Sequence, residues 1–270
     1  MSDVEWAVVR QAFPTPAWME SRGGRPEGYC HRQILDAVRY LVDNGIKWRS
    51  MPADFPPWDR VYAFFRRWRD HGLIRELHER LRDQVRRAEG RDTGPTAAVV
   101  DSQSVKADAT VKGASRGYDG GKKINGRKRH LVTDCLGLVL TVLVTPASTT
   151  DRDAARTMLP ALREDFRKLR LVWADGGYTG HLVDWAARKL GLVLEVVRRG
   201  DDTSGFLVLP RRWVVERTFA WLMRSRRLAR DYETLQTSSE ALILWSMTMV
   251  MSRRLARRTT TRHQALARAV

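Results

Sequence analysis

Cysteine is scarce: Cys30 and Cys135 are the only two in 270 residues, and no CxxC spacing occurs. That excludes a disulfide framework, gives no zinc signature, and fits a reducing cytoplasm. The six histidines form no HxxxH or HExxH pair, which argues against zinc a second time. Long apolar runs are missing too. The most apolar late stretch, 241–251, is interrupted by Ser246 and Thr248 and falls short of the roughly 18 residues a bilayer span needs, so a packed helix and no membrane association are expected. The start, Met1-Ser2-Asp3-Val4-Glu5-Trp6, lacks the basic-then-apolar pattern of a secretory signal.

Acidic residues are outnumbered, 31 against 48 Lys and Arg, for a net charge of +17. The excess grows along the chain: +3 over residues 1–92, +5 over 93–209 and +9 over 210–270. A field of this sign attracts a polyanion, and nucleic-acid phosphate is the commonest one. Lysine is itself rare, 8 against 40 Arg. Arginine suits bidentate phosphate contacts, although a GC-rich coding bias would give the same ratio. With 43% hydrophobic residues and 10 Trp, the chain can fill a core of one large or two ordinary domains.

The first 92 residues read as helical. Ile34, Leu35, Val38, Leu41 and Val42 recur on one face of a helix that Asn44-Gly45 would stop. After a Pro-rich elbow, Val61, Phe64, Phe65 and Trp68 make a second amphipathic helix, Gly72 breaks it, and Leu73, Leu77 and Leu81 support a third. Trp48, Trp58, Phe64, Phe65 and Trp68 could stack on bases, but their helical spacing favours core packing. The arginines on other faces leave open a helix-turn-helix module or a solvated bundle surface. Polar, Gly- and Pro-marked residues 90–95 predict the domain boundary, 1–92 and 93–270.

Beyond Pro95 strand and helix patterns alternate. Strands are expected over 97–100, 129–133, 136–145, 171–174 and 192–197, with Asp134-Cys135 at a turn, and helices over 153–162, 178–190 and 210–228. This is an α/β domain, a mixed β-sheet flanked by helices, preceded by a small all-helical domain.

Asp101 and Asp175 each close an apolar strand-like run, and Glu216 sits in the apolar helical string around Val214 and Val215. Carboxylates at such places are poor packing choices but good ligands for Mg²⁺, a hard cation that takes oxygen donors. Taken singly, Asp101 could turn the chain, Asp175 could serve an Asp-Gly turn and Glu216 could pair with Arg212. Asp134, Asp151, Asp153 and Asp184 fit a turn, helix starts and an exposed helix face, and Glu195 and Asp201 lie near the third carboxylate in sequence. The basic run Lys122, Lys123, Arg127, Lys128 and Arg129, spaced by glycines, reads as a flexible phosphate-contacting loop, or as a solvated hairpin tip. His130 beside it reads as a strand-edge or DNA-facing residue.

Four strings together carry a resemblance: Val100-Asp101-Ser102-Gln103-Ser104-Val105-Lys106, the basic run from Lys122 to His130, Ala174-Asp175-Gly176-Gly177-Tyr178, and Arg211-Arg212-Trp213-Val214-Val215-Glu216-Arg217-Thr218-Phe219. In this order, with Trp48-Arg49-Ser50-Met51-Pro52 and Trp58-Asp59-Arg60-Val61-Tyr62 ahead of them, the chain resembles bacterial DDE insertion-sequence transposases of the IS-four/IS-five superfamily. The resemblance implies a ribonuclease-H-like catalytic fold with Asp101, Asp175 and Glu216 as metal-holding catalytic residues for Mg²⁺ or Mn²⁺. It implies transposon-end and target DNA as partners, and a homo-oligomer on the DNA ends. Asp175 follows Asp101 by 74 residues and Glu216 follows Asp175 by 41, too few for the large β-rich insertion some relatives carry there. Arg212 matches the family's arginine and is expected to meet DNA. Where many relatives have Tyr and Lys around the glutamate, this chain has Leu209 and Met223, and Arg224, Arg226 or Arg227 could substitute. A silent DNA-binding derivative, or a nuclease that cuts without joining, remains the alternative.

Overall fold

The computed structural model describes residues 1–16, 28–197 and 213–268, with side chains up to 261. These residues form two compact units. One is helical and comprises residues 1–93, 225–228 and 241 onward; the other holds a sheet and comprises 94–224 and 229–240. Residues 225–228 and those from 241 onward thus group with the N-terminal helices.

In the helical unit the apolar stripes do what their spacing dictates. Helices α1 (Asp3–Ala12), α2 (His31–Asn44), α3 (Trp58–Asp70) and α4 (Leu73–Ala88) follow one another in the chain. Ile34, Leu35, Val38, Leu41 and Val42 of α2 are all fully buried, as are Val61, Phe65 and Trp68 of α3. Removing such side chains from water stabilises by about 1.5–3 kcal/mol each. Gly45 closes α2 in the left-handed conformation (φ 71°) and its N–H returns to the Leu41 carbonyl. A side chain there would meet the Arg226 backbone at 3.0 Å, so the turn needs glycine for both reasons. Trp68 packs against Phe13, Phe64 and Trp245 with ring centroids 5.4–5.8 Å apart, which settles these aromatics as core. Trp58 alone of the expected set is exposed.

In the sheet unit the strands are β1 (Ala97–Lys106), β2 (Gly117–Asp119), β3 (Ile124–Asp134), β4 (Val139–Pro146), β5 (Leu171–Ala174) and β6 (Val193–Val196). β3 pairs antiparallel with β1, and β2 and β4 pair with β3 beyond it; β5 and β6 continue the sheet parallel to β1 on its other side. This mixed order, with an antiparallel hairpin on one side of β1 and parallel strands on the other, is the ribonuclease-H-like arrangement. Helices α5 (Asp151–Asp165) and α6 (His181–Leu190) cover one face, burying Ala98, Val100, Val132, Val172, Ala174 and Leu194 beneath Met158, Leu159, Leu162 and Leu182. The opposite face, with Val99, Leu131 and Thr133 also buried, is left to α7 (Trp213–Met223), which packs on β1 and β3. Helix α8 (Gln236–Arg268) begins in the sheet unit and from residue 241 belongs to the helical one.

Two strands run longer than their apolar cores. β1 continues through Asp101 to Lys106 because β3 keeps pairing with it to Gly126. β3 starts at Ile124, so the string Arg127-Lys128-Arg129-His130 is strand, not flexible loop.

Candidate active site

The parallel pairing of β1 with β5 runs Ala97 to Leu171, Ala98 to Val172 and Val99 to Trp173, and then stops. Continuing that register by two residues sets Asp101 opposite Asp175. Adjacent strands lie about 4.8 Å apart, so the two aspartates flank the point where the sheet opens between β1 and β5. Asp101 is therefore within its strand and not at its end; what ends there is its parallel partner. Both carboxylates are half-buried.

Each is oriented by a neighbouring backbone N–H. Ser102 N–H donates to Asp101 Oδ1 at 2.7 Å, and Gly177 N–H donates to Asp175 Oδ1 at 2.8 Å. Asp175 thereby caps the single helical turn Gly176–Tyr178, whose Tyr178 side chain is buried in the α5/α6 core. The Asp-Gly turn and the ligand reading of Asp175 thus coexist, since a side chain can close its own turn and still present a carboxylate.

Glu216 is exposed in the first turn of α7. Its helix is pinned to the β3–β4 turn: Thr218 Oγ1 donates to the Gly137 carbonyl at 2.8 Å and an Arg217 amine donates to the Leu136 carbonyl at 3.0 Å. Arg217 lies between the rings of Trp213 and Trp221, 4.4 and 4.9 Å from their centroids, which adds cation–π attraction to that anchor. The turn itself is held by Asp134, which accepts from the N–H groups of Leu136 and Leu138, as a turn aspartate should. Glu195 is occupied differently: its Oε2 accepts from Trp173 Nε1 at 3.1 Å. Arg212, Leu209 and Asp201 lie outside the described residues, and among the described residues no three acidic, His or Cys side chains converge into a ready-made cation site. Asp101 and Asp175, as paired hard-oxygen donors, fit a Mg²⁺ or Mn²⁺ ion that takes one or two carboxylates and completes its shell with water and phosphate.

The basic run divides by strand alternation. Arg127 and Arg129 point to one face of β3, Lys128 and His130 to the other. Arg127 is fully buried: it bonds Asp231 Oδ1 at 3.2 Å, Ser239 Oγ at 3.0 Å, the carbonyls of Glu233 and Thr234, and Ser115. Arg129 is buried as well, which lowers its basicity to about 10 although Asp231 opposes the shift. Lys128 donates to the Thr149 carbonyl at 2.9 Å and faces Asp119 and Asp151. The expected DNA contacts by Arg127, Lys128 and Arg129 are therefore corrected: these side chains are internal ties, because a strand paired on both edges takes its residues into the core whatever their charge. Lys122 and Lys123 stay exposed, Lys122 donating to the Ser102 carbonyl at 3.1 Å and Lys123 standing in a turn at φ 54°. His130 is an interior residue: burial pushes it down to about 4 against the pull of Asp151, so it is neutral at pH 7.

Comparison with known proteins shows the family of the chain. Residues 92–251, more than half of the chain, match the family described as "Transposase DDE domain", and residues 1–78 match that described as "Putative transposase of IS4/5 family". The "Putative transposase for insertion sequence element IS402" of Burkholderia cepacia is 32% identical over 115 residues, covering 40% of this chain and 54% of that protein. This chain thus spans about half the length of that relative. An uncharacterized 16.2 kDa protein of the same insertion element is 26% identical over 109 residues, covering 40% of this chain and 73% of that protein. A solved structure, the "Crystal structure of the Mos1 Strand Transfer Complex", aligns over 87% of this chain and 78% of that one at 12% identity with a TM-score of 0.32, too weak a likeness to bear on fold or chemistry.

Proposed function

Because the chain belongs to the transposase DDE-domain family, we propose that it cleaves DNA at the ends of a mobile element and joins the freed 3′-hydroxyls to target DNA. The observation that supports this best is the register of β1 and β5, which, continued two residues past its last pair, sets Asp101 opposite Asp175. Asp101, Asp175 and Glu216 would hold Mg²⁺ or Mn²⁺, which when bound lowers the pKa of an attacking oxygen and neutralises charge on the phosphoryl group.

The chain's own residues prepare that chemistry. The N–H groups of Ser102 and Gly177 fix the rotation of the two aspartates before any substrate arrives. The Arg217 and Thr218 bonds hold the helix that carries Glu216. In cleavage, a water oxygen bonds to phosphorus, the bond to the 3′-oxygen breaks, and that oxygen leaves as a hydroxyl. In joining, the same 3′-hydroxyl is the nucleophile and a target-strand 3′-oxygen leaves. Lys122 and Lys123 are the exposed cations of the basic run that would meet phosphate, and the residues 1–78 matched to the transposase family would read the element ends. Among the described residues no helix is long and apolar enough to cross a membrane.

The test is to incubate the full chain with duplex carrying the terminal sequence of its own element, target plasmid and Mg²⁺, and to sequence the products. Nicks leaving 3′-hydroxyls and end-to-target joints are expected. Nicks without joints from a pre-cleaved end would assign a nuclease instead, and binding without nicks a silent DNA-binding protein.

A further inference from the structure

The acidic residue Asp151 looks at first like an ordinary helix starter. It is the first residue of α5, after the N-cap Thr150, whose hydroxyl accepts from Asp153 N–H. Its side chain, however, reaches the glycine two residues after Asp175. Asp151 Oδ2 and Asp175 Oδ1 each lie 3.0 Å from the point where a Cβ on Gly177 would sit, so both carboxylates border the same glycine.

The other oxygen of Asp151 looks inward. Oδ1 stands 3.4 Å from Lys128 Nζ and 3.7 Å from His130 Nδ1. Both distances exceed a good hydrogen bond, and the buried Oδ1 and His130 Nδ1 each lack a hydrogen-bond partner. Lys128 in turn is tied to the Thr149 carbonyl just before the helix, and Asp119, which Ser104 Oγ contacts at 2.5 Å, flanks it on the other side at 3.7 Å. A buried lysine thus holds the start of α5 against the sheet while sharing its charge between two carboxylates. Nothing in this set is needed to close a helix: an N-cap threonine already does that, and a carboxylate placed beside another carboxylate is repelled unless a cation joins them.

We propose that Asp151 is a fourth carboxylate of the site, a positioning residue that, held by Lys128, strengthens divalent-cation binding at Asp101 and Asp175 from across Gly177. This rests on the metal-dependent reading given above. Its charge acts on the ion at short range, and its place fixes the Gly176–Tyr178 turn from which Asp175 projects. Lys128 offsets the accumulated negative charge when no cation is bound.

The experiment titrates the full chain with Mn²⁺ alone, reading free ion by electron paramagnetic resonance, and separately measures the Mn²⁺ concentration for half-maximal DNA cleavage. Asp151→Asn keeps shape and helix-start propensity, so it is expected to fold. It should weaken Mn²⁺ binding and raise the half-saturating concentration by about tenfold, with the rate at saturating Mn²⁺ within a few-fold of the parent. Asp153→Asn, which removes an exposed charge from the same helical turn, should change neither. Asp101→Asn should lose the binding altogether. If Asp101→Asn loses binding while Asp151→Asn binds like the parent, the role of Asp151 is overturned and the metal reading stands. If Asp153→Asn weakens binding as much as Asp151→Asn, the effect belongs to the helix terminus and the proposal is again overturned. If the parent and Asp101→Asn bind alike, the metal reading falls and this inference with it.

Discussion

The helical and sheet units bury charge in different ways. In the helical unit the buried charges are scattered: Arg39 reaches Glu5 at 2.5 Å and Ser252 at 2.8 Å, Arg86 donates to the Asp92 carbonyl at 2.7 Å, and Arg227 donates to the Ile46 carbonyl at 2.8 Å. In the sheet unit the buried basic side chains come as a row along one strand, Arg127, Lys128 and Arg129, followed by the neutral His130; Arg127 is tied to 231–239 and Lys128 to Thr149. The first arrangement ties a helix bundle at separate points. The second uses a central strand as a spine from which 231–239 on one face and the start of α5 on the other are held in place. Basic charge therefore says little about location until secondary structure is known, and the residues that look most like DNA ligands in sequence are scaffolding in the fold.

Substitution of Arg127 breaks this contrast most strongly. Arg127→Met removes the cation that hydrogen-bonds the buried Asp231 carboxylate, and removing one partner of such a pair costs about 3–5 kcal/mol. Urea unfolding should show that loss, while the salt dependence of DNA binding by whatever protein remains folded stays as in the parent. A flattened salt slope with unchanged stability would return Arg127 to the DNA-binding surface.

The helical unit offers a pH test. His78 is completely buried beside Arg82 and Arg75, and burial first, then those two charges, push it down to about 3. The unfolded chain takes up a proton near pH 6.5 that the folded chain refuses, so this group favours unfolding progressively as pH falls from about 6.5 to 3. The slope is about 1.4 kcal/mol per pH unit, and above 6.5 the contribution vanishes. His78→Leu should flatten the stability curve in that window relative to the parent. Identical curves for the two proteins would mean that His78 is protonated in the folded state.

The smallest effect is expected at Lys122 and Lys123. Replacing both by Ala should change stability by no more than about 0.5 kcal/mol yet reduce the slope of log affinity against log salt by about 0.9 for each phosphate that these lysines neutralise. An unchanged slope would remove this turn from the DNA interface.

Much of this is legible in the sequence where local pattern decides. The stripes of α2 and α3, the start of β1 at Ala97, the strand ending in Ala174, and the turn at Asp134 follow from periodicity and turn chemistry. The fate of 241–251 is not legible: its apolar run shows that it packs, but the partner, Trp68 against Trp245, lies far away in the chain. Arg127 and Arg129 mislead because charge outweighs a weak strand signal until pairing with both β1 and β4 is seen. Asp151 is placed correctly at a helix start, yet Asp175 lies 24 residues on and only the fold brings both carboxylates against Gly177. Glu216 rests on resemblance and on the anchoring of α7.

Mg²⁺-dependent cleavage by single carboxylate variants, alongside a metal-free gel shift on the same end DNA, tests the central assignment most directly. Asp101→Asn, Asp175→Asn and Glu216→Gln should each reduce cleavage and joining to background while binding stays within a few-fold of the parent. Glu195→Gln, whose side chain serves Trp173, and Asp201→Asn should remain active. Near-parent cleavage by Glu216→Gln together with a dead Glu195→Gln or Asp201→Asn would contradict the account and move the third ligand.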